Sequence, residues 1–189
     1  MLEKIPSGVG HALHQVRAGA DKLTSRKFEA PPSSMRLQSP AFEDGGPLPA
    51  RYTADGDRIS PPLSWSGTPE GTQGLVLIIE DPDAPTPEPL VHLLAFDLPP
   101  EQSELTEGLF RSPHHEGLDE DLGRNSYLGA AYLPPDPPSG HGAHRYVFQL
   151  YALDQRLNFD HPPGRAAVVE AMQDHVLAKG ETSATYERD

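Results

Sequence analysis

The chain has 189 residues, enough for one domain with a real core, and a formal net charge of −13. It lacks cysteine, which excludes a disulfide framework, a thiolate metal site and a cysteine nucleophile. Its acidity excludes nucleic acid as a partner, and no apolar run reaches the roughly 18 residues of a transmembrane segment or forms a signal-peptide core, so a soluble cytoplasmic protein is expected.

Residues 1–27 hold five basic and two acidic side chains, net +3, which leaves −16 for the remainder. Leu2, Ile5, Val9, Leu13, Val16 and Leu23 recur at threes and fours, predicting an amphipathic helix over residues 1–24 with His11, His14 and Arg17 on its other face. Gly8 and Gly10 weaken its start. Such a helix can pack on the domain's own surface, pair with a second copy in a homodimer, or lie on a membrane surface; the first two are favoured. Residues 26–34, with two adjacent prolines, read as a linker. The predicted organisation is therefore an extension over 1–34 and a domain over 35–189.

Strands are predicted near Met35–Gln38, Gly74–Glu80, Val91–Leu98, His144–Leu153 and Glu181–Thr185. The polar stretch Leu105–Tyr127 reads as a long surface excursion. Arg165–Lys179 has Val168, Val169, Met172 and Val176 at helical spacing, with Gly180 placed to stop the helix. Many strands and few helices predict antiparallel sheets with helices at the periphery.

Two segments carry the chemistry: Asp81-Pro-Asp-Ala-Pro85 after one apolar run, and His141-Gly-Ala-His-Arg-Tyr146 leading into another. Carboxylates and histidines at strand ends are costly to bury unless they pair with each other or with a ligand. Strand alternation puts His144, Tyr146, Phe148 and Leu150 on one face, and His92 on a face with Leu94 and Phe96. Imidazole N–H groups, a tyrosine hydroxyl and backbone N–H groups of the glycine-bearing loop suit a phosphoryl group or similar anion. A carboxylate there can accept the second N–H of a histidine and favour imidazolium.

Both segments, in this order, resemble the phosphatidylethanolamine-binding protein family, also called Raf kinase inhibitor proteins, and most closely its bacterial branch. Ser60-Pro-Pro-Leu-Ser-Trp-Ser-Gly67, Pro137-Pro-Ser-Gly-His141, His175-Val-Leu-Ala-Lys-Gly180 and Thr185-Tyr186 extend the resemblance over about residues 35–188. It implies a Greek-key β-sandwich with peripheral helices, and a pocket for phosphorylated headgroups and small anions. Carried over residue by residue, the ligand-binding set is Asp81, Asp83, His92, Pro138, Gly140, His144, Tyr146 and Tyr186, with no metal and no cofactor. One departure stands out: Leu133-Pro-Pro-Asp-Pro-Pro138 replaces a Gly-Gly-Pro segment of many bacterial relatives, which removes backbone donors and reshapes one wall.

The expected function is a soluble binding protein for a small phosphorylated or anionic ligand, with regulation of a protein partner by analogy. Two alternatives stay open. A hydrolase could use Ser139 with the nearby histidines and aspartates, although no nucleophile motif is present. A metal-binding protein could use the two Asp and two His as tetrahedral ligands, although their spacing matches no zinc motif.

Overall fold

Gly74–Asp81 is buried along its whole length, as a strand covered on both faces must be. The computed structural model describes residues 7–13, 15–28, 35–112 and 121–188, and this strand, β4, lies near the centre of its larger sheet. It pairs antiparallel with β5 (Leu90–Leu98) on one side and β7 (His144–Leu153) on the other. β8 (Val176–Tyr186) continues antiparallel from β7, and the short β2 (Gly46–Pro47) runs parallel to β8. The order is β2-β8-β7-β4-β5. A smaller sheet has the order β1-β3-β6, from Arg36–Gln38, Leu63–Ser66 and Glu104–Leu105.

Alternation divides the apolar residues between two cores. Leu75, Leu77, Ile79, Phe148 and Leu150 meet Leu37, Leu63, Trp65 and Leu105 of the small sheet. On the opposite face Val76, Ile78, Tyr151 and Leu153 meet Val168, Val169 and Met172 of helix α2 (Arg165–Met172), together with Phe28. The protein is mainly β, with its helices outside the sheets.

Three expectations change. The predicted helix over 1–24 is helical only at Ser7–Leu13 (α1) among the described residues; residues 1–6 and 14 lie outside them. Short 3-10 turns follow at Ala20–Lys22 and Thr24–Arg26. The backbone there bonds outward instead of to itself: Ala18 N–H donates to Ala84 O, Gly19 N–H to Pro82 O and Thr24 N–H to Glu80. Such tertiary bonds outweigh a helix weakened by two glycines. Second, α2 stops at Met172, and β8 begins at Val176, five residues before the predicted strand. Gly180 does not cap a helix. It pairs with Leu150, where a Cβ would meet Met35 O at 3.2 Å and Leu37 Cβ at 3.3 Å. Third, the excursion from Leu105 to Tyr127 is anchored at both ends. Leu105 and Phe110 are buried in the first core, and Leu122 forms a bridge with Ala95. Residues 113–120 lie outside the described residues.

Candidate functional site

At one end of the large sheet, β4, β5 and β7 each contribute a polar side chain to the same face. Asp81 ends β4 on the side of Leu75, Leu77 and Ile79, and Tyr146 lies on the matching face of β7. His92 reaches them through a β-bulge. Ile79 pairs with Leu93 and Glu80 with Val91, which leaves His92 as the extra residue of β5. The predicted alternation of His92 with Leu94 and Phe96 is thereby overturned. Leu94 and Phe96 belong to the second core, whereas the His92 ring stands edge-on to Tyr146, 5.1 Å between centroids at 85°.

These three side chains line a cavity of about 10 Å³, closed by Leu90, Tyr127, Leu133, Pro134 and Asp136. His92 Nδ1 lies 2.7 Å from Leu133 O, so that nitrogen carries the hydrogen and donates. Nε2 is then an acceptor in the neutral ring. Burial holds His92 below the ordinary imidazole range, against the opposing pull of Asp81. Burial and the Asp81 charge push the Tyr146 hydroxyl well above its ordinary value, so it stays a donor. Neither His92 Nε2 nor Tyr146 Oη has a hydrogen-bond partner among the described residues, although both are buried. Buried polar groups without partners are uncommon in folded proteins.

The two carboxylates of the cavity are countered from behind. Asp81 Oδ2 is 2.7 Å from His144 Nδ1. Asp136 accepts from Arg188, which also binds Asp55 at 2.7 Å. The His144 ring continues outward, with Nε2 2.7 Å from His141 Nδ1, and His141 Nε2 lies 2.8 Å from Leu13 O at the end of α1. All four ring nitrogens of this histidine pair are therefore engaged.

The structure brings Asp81, His92 and Tyr146 together, with His144 behind Asp81. It places the other four predicted residues outside the cavity lining. Asp83 faces the other way, bound bidentately by Arg145 at 2.8 and 2.9 Å and approached by Arg17 at 3.1 Å. Burial raises its carboxyl, but the Arg145 guanidinium and N–H outweigh burial and hold it below the usual carboxylate range. The Pro138 carbonyl accepts from His141 N–H, and Gly140, at φ 75°, donates to Arg188 O at 3.4 Å. Tyr186 pairs in register with His144, but its hydroxyl donates to Asp55 at 2.8 Å. Leu90, Tyr127, Leu133, Pro134 and Asp136 complete the lining and were not in the predicted set.

A second groove of about 210 Å³ shares Tyr127, Leu133, Pro134 and Asp136 with the cavity and adds Arg58 and Ser112. Tyr127 is 44% exposed. It is presented by a tight turn in which Asn125 Oδ1 accepts from the N–H groups of Tyr127 and Gly129. Among the described residues no group of three or more His, Asp or Glu is arranged to hold a metal ion. Nor is any helix among them long and apolar enough to cross a membrane.

A mainly β protein with a small polar cavity at one end of its large sheet is the class that fold and site define. Residues 38–187 match the family model described as phosphatidylethanolamine-binding protein, and the chain belongs to that family. A UPF0098 protein of Methanothermobacter thermautotrophicus is 41% identical over 157 residues, covering 82% of this chain and 99% of the relative. The crystal structure of a putative phosphatidylethanolamine-binding protein homolog from Chlamydia trachomatis superposes with a TM-score of 0.72 at 37% identity, covering 83% of this chain and 99% of that one. Escherichia coli YbcL, described as a member of the mammalian family, gives a TM-score of 0.74 at 26% identity, covering 83% of this chain and all of its own.

Proposed function

We propose that the cavity binds the phosphoryl or other anionic end of a small molecule, and that the protein acts by binding it. The observation that carries this reading is the unpartnered pair, His92 Nε2 and Tyr146 Oη. An anion satisfies both. Tyr146 donates as it stands, whereas His92 donates only after taking a proton on Nε2, because Nδ1 is committed to Leu133 O. The bound anion supplies the countercharge that burial otherwise denies the imidazolium. Asp81 and Asp136 do not forbid this, since His144 and Arg188 counter them.

About 10 Å³ is room for one water. A phosphate therefore enters by displacing the wall shared with the groove, and the rest of the ligand lies towards Arg58. The proposed fold is a Greek-key sandwich of the two sheets, with residues 1–34 as an extension of the domain over 35–189. Pocket occupancy is the means by which a protein partner would be regulated. The hydrolase reading is weaker, because the ring nitrogens of His141 and His144 are all engaged and neither is left to activate Ser139.

The test is calorimetric titration with inorganic phosphate and phosphoethanolamine at pH 6 and pH 8, in two buffers of different ionisation enthalpy. Because His92 is neutral before binding and charged after it, the complex with the dianion takes up a proton from buffer, which is read at pH 8, where a phosphomonoester (second pKa about 6) is ionised and brings no proton itself. Affinity then falls as pH rises, by at most about tenfold per unit for one linked proton, and the heat depends on the buffer. His92→Ala abolishes the buffer dependence in a folded protein, and Tyr146→Phe weakens binding about tenfold without loss of stability. Absence of saturable binding at both pH values, or binding without proton uptake, overturns the assignment.

A further inference from the structure

The chain Asp81–His144–His141–Leu13 O contains three short contacts, 2.7, 2.7 and 2.8 Å. Each needs one hydrogen between its heavy atoms, since two lone pairs or two N–H groups facing at that distance repel. The far end, Leu13 O, is a carbonyl and can only accept. Asp81, His144 and His141 must therefore hold three protons between them. An ionised Asp81 with two neutral histidines holds only two. The third proton makes one ring an imidazolium beside the carboxylate, or protonates the carboxyl; in either form the group as a whole is neutral.

We infer that this chain is a proton-counted latch, which holds α1 on the loop before β7 only while it carries three protons, so that docking of the N-terminal segment is confined to a window of pH. Losing one proton leaves one of the three contacts unmade. The weakest place is the outermost, because Asp81 and His144 are held by β4 and β7, whereas α1 is seven residues long and contains two glycines. Adding a fourth proton sets His141 Nδ1–H against His144 Nε2–H. The released state accepts either change without penalty, so docking weakens on both sides of the window, by at most about tenfold per pH unit on each limb.

The charges around the latch act in a definite sense. Burial and His144 push His141 below its ordinary value and Arg17 adds to this, while the Leu13 and Val16 carbonyls oppose them. Arg17 comes from the docked segment itself, where its charge is shared with Asp83 and the Ala143 carbonyl. At the inner end Asp81 faces His92, Tyr146 and Arg145. The side of α1 that meets the loop is built for close approach: a Cβ on Gly10 would stand 2.1 Å from Ser139 O. The inference is independent of what the cavity binds.

Since the chain has no cysteine, a single Ala12→Cys substitution at an exposed position of α1 accepts a nitroxide label on the full-length protein. The expected result is an immobilised spin fraction that passes through a maximum as pH is varied and falls on either side. His141→Gln can donate to Leu13 O and accept from His144 without taking a proton, so it removes the low-pH limb and keeps the high-pH limb. A flat or monotonic profile, or a His141→Gln profile identical to the parent, overturns the inference. A second reading needs no variant: imidazole nitrogen and Asp81 carboxyl resonances at the pH of maximum immobilisation must account for three protons. Two neutral rings with an ionised Asp81 would sink the count.

Discussion

Replacing Glu80 by alanine removes four hydrogen bonds at once. Its carboxylate is 0% exposed and accepts from Thr24 N–H at 2.8 Å, Thr24 Oγ1 at 3.0 Å, Gln149 Nε2 at 2.8 Å and Arg165 Nη1 at 2.8 Å. Breaking a buried charge pair by removing one partner costs about 3–5 kcal/mol. The Arg165 side chain keeps 17% exposure and regains part of that from water, which places the expected loss at about 3–4 kcal/mol. That is a large fraction of the roughly 5–15 kcal/mol that stabilises a domain. In urea unfolding the slope stays unchanged and the midpoint falls by more than about 1 M. Glutamine is no rescue. Each carboxylate oxygen accepts two bonds, so one orientation of the amide turns an NH₂ against Thr24 N–H and Gln149 Nε2 and the other against Arg165, groups that can only donate. A loss below about 1 kcal/mol for Glu80→Ala, or a neutral Glu80→Gln, would refute the reasoning.

Asp83→Ala should cost less, about 1–2 kcal/mol at pH 7, because its partner Arg145 is half exposed. The folded-state value of Asp83 is depressed, so its contribution is complete above the unfolded value near pH 4 and disappears as pH falls through the folded value; parent and variant should converge in acid unfolding curves. Gly10→Ala gains helix propensity of about 1 kcal/mol but sets a Cβ against Ser139 O. It should free a spin label at position 12 while the urea midpoint of the domain stays in place, and a label that remains immobile would contradict the docking geometry of α1.

The strands were legible wherever their apolar runs are continuous: His144–Leu153 lies in the structure as read, and β4 and β5 differ by single residues at one end. The second helix was misread because Val168, Val169, Met172 and Val176 fit a helical stripe, while the turn at Asp174, with φ 64°, leaves no such mark in the sequence. The N-terminal stripe failed for a different reason. Leu23 is buried as expected, but Thr24 and Ser25 bond to Glu80 and Gln149, more than fifty positions away. Of the site, the shared face of His144 and Tyr146 followed from alternation, whereas Asp81 joined them only through the family resemblance of its Asp-Pro-Asp-Ala-Pro segment. Asp136 followed from neither, because it gains its place through Arg188, 52 residues on. The short strands β2, β3 and β6 carry too few residues for a periodic signal.

The bulge at His92 has a consequence for how such a pocket is inherited. Substitution can change what the histidine does, but only the extra residue in β5 decides which core it enters. Deleting one residue between Leu90 and Leu93 would restore strict pairing, and with it send the residue at this position to the side of Val76 and Ile78. A related chain can thus keep every side chain of the site in the right order and still have no cavity, if its alignment with this one needs a gap there. Length, counted between two strand partners, is a feature of this site as much as composition is.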